Sequence, residues 1–214
     1  ASADHAIYRQ AYAAAKLEQF KEAGNLYAKL ATDFPNSAYV ADAMLSAGRT
    51  FYRSEDFANA KTWFEKSLAS EQGDVTEAAH WLCRIHLQNG QPQQAVSLAE
   101  QQLPKAADSP FLVQLKMDQA DALYEVEGRR DDALANYLAI ANEHSDHALA
   151  GQALYNAAFA ALETGKFKEG LQHAATFVSK YSEDRFLPDT KYVAADCHLK
   201  LAEHEQAESA YRHL

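Results

Sequence analysis

The chain has 214 residues, 20 Lys and Arg against 30 Asp and Glu, 48% hydrophobic residues, 8 Gly, 5 Pro and 2 Cys. This is ample material for a core and excludes disordered and collagen-like chains. The formal charge of -10 argues against nucleic acid as the main ligand, because phosphate binding needs a surplus of Lys and Arg on at least one large face.

In chain order, apolar periodicity predicts paired helices over 4–17 and 20–34, 38–53 and 56–70, and 75–89 and 92–103. The pairs continue over 110–127 and 130–143, 147–164 and 167–181, and 187–201 and 204–214. The second helix of each pair repeats one frame, closed by the small residues Ala23, Ala60, Ala95, Ala133, Gly170 and Ala207, at spacings of 37, 35, 38, 37 and 37. Four residues after each comes Tyr27, Phe64, Ala99, Tyr137, Ala174 or Tyr211. Three further on lie Leu30, Ser67, Gln102, Ile140 and Phe177, which completes one helical face, small then large. Gly90, Gly128 and Gly165 stand where the first helices end, a place that suits a left-handed backbone. The joints between pairs are rich in turn formers and candidate N-caps: 34–37, 72–74, 103–110, 144–146 and 181–184. Period-2 alternation bounded by turns is absent and Ala is abundant, so no strand is predicted.

The expected fold is therefore all-α, a solenoid of about six helix-turn-helix units. The repeat resembles the tetratricopeptide repeat, whose usual period is about 34. Gly48, Phe51, Phe57, Ala60, Phe64 and Ser67 carry the likeness best, followed by Tyr124, Gly128, Ala133 and Tyr137. Small residues let paired helices approach and aromatics fill the gaps between units. The resemblance implies a right-handed superhelix forming a single array over 1–214, with repeats near 4–36, 37–73, 74–109, 110–146, 147–184 and a truncated 185–214. Departures are Cys83 where Gly or Ala is usual, Pro92 opening a second helix, and Ala202 and His204 in the last repeat. The long period and the junction Asp33-Phe34-Pro35-Asn36-Ser37 are similar to repeats of bacterial cell-envelope members, of the cell-division coordinator and outer-membrane assembly lipoprotein type. That subgroup would place the chain in the periplasm or envelope, with the cytoplasm equally open. The start at Ala1-Ser2 without Met suggests a processed or excised chain, and the short last helix suggests that the natural protein continues past Leu214.

In such arrays the first helices line a concave groove, and the frame names its residues. The amino-terminal half offers Tyr8, Arg9, Tyr12, Lys16, Arg49, Tyr52, Arg53, His80, Trp81 and Arg84. Arg49 and Arg84 hold equivalent places, preceded there by Tyr12, and would stack as a cradle for an acidic or carboxylate-terminated segment. The carboxyl-terminal half offers Asp118, Gln119, Glu125, Tyr155, Asn156, Phe159, Glu163, Tyr192 and Asp196, a more aromatic and acidic face. A bipolar partner would suit both. The two-carboxylate clamp of chaperone-tail-binding members is missing, since its places hold Tyr8, Tyr12, Ser46, Glu77 and Trp81.

No catalytic signature appears: no Gly-rich phosphate loop, nucleophile elbow or paired carboxylate motif. Cys83 and Cys197 are too few for a disulfide framework and lack metal spacing, and Cys83 is expected to be buried and inert. His144 and His147, near Glu143 and Asp146, form only a weak surface candidate for a metal, and no cofactor is implied. The longest uncharged run, 147–162, contains His, Gln and Asn and falls short of the roughly 20 apolar residues of a membrane span. The sequence thus reads as a non-catalytic scaffold that binds a protein or peptide. The alternatives are a self-associating spacer working through its terminal repeats, or the recruitment domain of a larger enzyme or envelope assembly.

Overall fold

The computed structural model describes residues 2–70, 73–212 and 214. Gln72 of the expected second joint and His213 of the last expected helix lie outside them. The described residues form twelve α-helices and no strand: α1 (Ala3–Lys16), α2 (Phe20–Asp33), α3 (Val40–Arg53), α4 (Phe57–Ser70), α5 (Val75–Gln88), α6 (Pro92–Gln102), α7 (Leu112–Glu125), α8 (Arg130–Glu143), α9 (Ala150–Glu163), α10 (Phe167–Lys180), α11 (Leu187–Lys200) and α12 (His204–Arg212). A 3-10 turn, Leu103–Lys105, follows α6. No helix among the described residues is long and apolar enough to cross a membrane.

The stripe of small and large residues is the buried one. Ala23, Ala60, Ala95 and Ala133 have no exposure, and Tyr27, Phe64, Leu30, Ile140 and Phe177 are buried one or two turns on. Small residues are needed where the second helix meets its neighbours. A Cβ on Gly48 would come within 2.5 Å of the Phe64 ring, and one on Gly24 within 2.9 Å of Phe51. Fully burying a ring such as Phe64 contributes roughly 1.5–3 kcal/mol.

Each pair of helices closes through a left-handed residue. Gly90, Gly128 and Gly165 take φ of 67°, 76° and 77°, as expected, and Glu18, Glu55 and Ala202 take 59°, 61° and 60° in the other three turns. In five of the six turns the next residue donates its N–H to the carbonyl five places back, as Asp56 does to Phe51 at 2.9 Å. That bond satisfies a carbonyl the helix would otherwise strand. The turn after α7 carries one extra residue, which accounts for the single spacing of 38.

The joints between pairs have their own device. Ser37, Asp74, Ser109, His147 and Asp184 repeat at spacings of 37, 35, 38 and 37, and each accepts the backbone N–H two residues on. The distances are 3.2 Å from Tyr39, 3.0 Å from Thr76, 3.0 Å from Phe111, 3.1 Å from Leu149 and 2.9 Å from Phe186. These acceptors hold the entering residues in a turn. The first helices expected to begin at 110 and 147 therefore start at Leu112 and Ala150.

The chain divides into two compact units, Ala1–Gln91 with Leu98–Leu112, and Pro92–Ser97 with Val113–Leu214. In the first, α1 to α5 pack in succession around a core that includes Ala11, Ala23, Tyr27, Leu30, Phe51, Phe64 and Leu82. In the second, α8 to α12 pack in succession and the first helices α9 and α11 also meet. Ala158, Val193 and Cys197 are buried there against Tyr155, Phe159 and Leu171. This is the tetratricopeptide type of helical packing.

Candidate functional site

In the first unit, α1 and α3 present a cleft of about 410 Å³ lined by Tyr8, Tyr12, Lys16, Asp42, Arg49 and Arg53, with Ala15, Tyr27, Ser46 and Thr50 completing its walls. The helical period explains the grouping. Tyr8, Tyr12 and Lys16 lie four residues apart on one face of α1, and Ser46, Arg49 and Arg53 share one face of α3.

The polar groups of this cleft are largely engaged with one another. Tyr8 Oη donates to Asp42 Oδ2 at 2.5 Å, and burial followed by that bond pushes its phenol well above the usual range. Arg49 donates from Nη2 to Ser46 Oγ at 2.9 Å and Asp42 Oδ1 at 3.5 Å, and from Nη1 to Glu77 Oε1 at 3.2 Å and Oε2 at 3.4 Å. Glu77 is buried and also accepts from Trp81 Nε1 at 3.3 Å. Arg49, expected to present itself to a partner, is thus tied to two carboxylates of its own chain.

Several expected groove residues hold repeats together. Trp81 stacks on Phe64 with rings 6.0 Å apart and meets Tyr52 at 4.8 Å. Tyr8, His80 and Tyr155 occupy one place in the frame, and each packs on the aromatic residue 31 positions later. Tyr39 lies 4.8 Å from Tyr8, Phe111 5.7 Å from His80 and Phe186 5.0 Å from Tyr155. With the extra residue after α7, that place falls to Met117 in the fourth repeat, and Asp118, expected in the groove, stands one position on and is buried at 2% exposure. Arg9 and Arg84 are exposed and outside the cleft.

In the second unit, Tyr155, Asn156 and Phe159 line a smaller cleft of about 260 Å³ with Tyr124 and Tyr137. Tyr137 Oη donates to Asp121 Oδ1 at 2.7 Å, and burial, with the Asp121 charge, pushes its phenol far up. Tyr192 is exposed and meets Tyr211 edge-on at 5.8 Å, outside that cleft.

Both thiols are fully buried. Burial and then Asp196 push Cys197 up to about 11, which keeps it a protonated, poor nucleophile at neutral pH. The imidazole pair is spent on structure. His144 Nε2 faces Lys116 Nζ at 3.1 Å, and His147 Nδ1 accepts the Leu149 N–H. Burial and then Lys116 hold His144 below its ordinary range. Among the described residues no group of three or more His, Cys, Asp or Glu side chains is placed to hold a metal ion.

The tetratricopeptide repeat family model matches residues 5–37. None of the curated proteins matches the chain. Among solved structures, a tetratricopeptide repeat protein from Parabacteroides merdae aligns with a TM-score of 0.75 at 11% identity, covering 97% of this chain and 77% of that one. YrrB, described as a TPR protein with an unusual peptide-binding site, gives 0.65 at 18% identity, covering 86% and 90%. A Podosopora anserina protein of nearly identical TPR-like repeats gives 0.66 at 16% identity, covering 83% and 94%. At such identities the likeness carries the fold, a tetratricopeptide-type solenoid. Repeats of this type generally serve as non-catalytic scaffolds for protein-protein interaction.

Proposed function

We propose that the chain is a non-catalytic binding module that takes an extended segment of a partner protein into the cleft between α1 and α3. The observation that carries this reading is the composition of that cleft. It combines aromatic walls, which supply contact area at low entropic cost, with exposed cations in a chain of net negative charge. The fold shared with YrrB, a protein described as binding peptide, supports it. The smaller cleft at Tyr155, Asn156 and Phe159 offers a second, more apolar contact for the same partner or another.

Affinity capture from lysate of the source cell tests the reading, with the wild-type chain beside a Tyr12→Ala, Arg53→Glu variant. Both residues are exposed, so the variant keeps its helicity. A protein retained by the wild type and lost by the still-helical variant supports binding at this cleft. Equal capture by both rejects it.

A further inference from the structure

Two cations of the cleft are in a different situation from Arg49. Lys16 and Arg53 are the last residues of α1 and α3, occupy equivalent places 37 residues apart, and are both exposed. Neither has a carboxylate partner among the described residues. Instead each rests on an aromatic face: Lys16 Nζ lies 5.3 Å from the Tyr12 ring centre and Arg53 Cζ 5.5 Å from that of Phe20.

A cation over a ring is held in place by the ring quadrupole, yet the in-plane N–H groups of a guanidinium and the N–H groups of an ammonium that point away from the ring are left unused by it. The donors stay available while the side chains lose little further freedom on binding. The negative ends of α1 and α3 favour the two cations that stand on them and work against an anion, so the attraction here comes from the side-chain charges and not from the helix dipoles. Glu18 and Glu55, in the turns that follow, do not line the cleft. Asp42, the one acid that does, is met by Tyr8 and Arg49.

We infer that Lys16 and Arg53 together grip a carboxylate of the bound segment, with Tyr12 packing beside it, while Arg49 is a positioning residue that holds Asp42 and Glu77. This clamp lies one helical turn beyond the places that Tyr12 and Arg49 occupy in the frame. It rests on the reading of the cleft as a peptide site and adds the chemistry of the ligand: an acidic segment. The carboxylate comes from a Glu or Asp side chain or from a chain terminus, and both present the same two oxygens to a lysine and a guanidinium.

The test uses synthetic dodecapeptides in which Glu, Lys or Ser fills half of otherwise randomised positions, each with a free and an amidated C-terminus, read by fluorescence anisotropy. Expected are binding of the Glu set in preference to the other two, weakening with salt, and a loss of about tenfold in Lys16→Ala with Arg53→Ala. Lys16→Arg retains affinity, and Arg9→Ala, an exposed cation outside the cleft, changes nothing. An amidated terminus that costs as much as the double substitution assigns the carboxylate to a chain end, and one that costs nothing assigns it to side chains. Peptide binding without preference for Glu, or unaltered in the double variant, overturns the clamp and leaves the binding module standing. Binding of no peptide set overturns both.

Discussion

Arg49 Nη1 donates to both carboxylate oxygens of Glu77, one repeat away, and Glu77 has only 6% of its side chain exposed. Removing one partner from a buried pair leaves the other charge stranded, which costs more than the pair contributes. Arg49→Ala should therefore lower the stability of the first unit by about 2 kcal/mol, a value reduced for the partial exposure of the arginine. Arg53→Ala should leave it unchanged. Urea titrations of the two variants check this, and equal effects would show that the Arg49 pair is not structural.

Gly48 sits where the Phe64 ring leaves no room for a methyl group. Gly48→Ala gains helix propensity but overfills the contact, and the expected outcome is a net loss of about 1–3 kcal/mol. A thermal melt higher than wild type would mean that the ring shifts without cost.

The left-handed turn positions give a pair of opposite expectations. Glu55 holds φ of 61° with a Cβ, whereas Gly165 holds 77° without one. Glu55→Gly should stabilise by about 0.5 kcal/mol, after the entropy of glycine in the unfolded chain is set against the relieved strain. Gly165→Ala should destabilise by about 1 kcal/mol. Chemical denaturation of both variants reads the two signs together.

His173 on α10 has a buried Nε2 with no hydrogen-bond partner among the described residues, and burial holds its imidazole below the ordinary value of 6.5, against a smaller opposing effect of Glu169. The unfolded chain then binds more protons than the folded one between the two values. This contribution to stability is complete above 6.5 and is lost as the pH falls below it. Melting temperatures at about pH 7.5 and about pH 5, for wild type and His173→Leu, check the expectation. The drop on acidification should be smaller in the variant.

The helices and their buried stripe were legible because each is written within one helix, as a small residue followed by a large one at a spacing of four. Six first helices and six second helices appear with ends within three residues of those expected. The site was less legible because its partnerships cross repeats. Nothing in α3 alone signals that Arg49 will meet Glu77, 28 residues later, and nothing in α7 signals that Asp118 will be covered. A repeated offset was nonetheless present: Tyr8 to Tyr39, His80 to Phe111 and Tyr155 to Phe186 are each 31 residues. Reading it would have moved those three aromatics from solvent-facing candidates to packing residues. The left-handed Glu18, Glu55 and Ala202 gave no signal, since only glycine announces that conformation.

The acceptors at Ser37, Asp74, Ser109, His147 and Asp184 give each joint its own means of starting a helix. Two of them also tie the joint to the repeat before it, since Ser37 Oγ donates to Asp4 and Ser109 Oγ to Asp74. A gene segment copied between two such joints would bring with it the acceptor for the N–H two residues on, at any of the lengths of 35, 37 or 38 residues found here. Growth of the chain by duplication would then ask only for an acid in the preceding repeat wherever the joint residue is a serine that donates backward, and the exposed ends of the first helices, where Lys16 and Arg53 stand, take no part in these bonds.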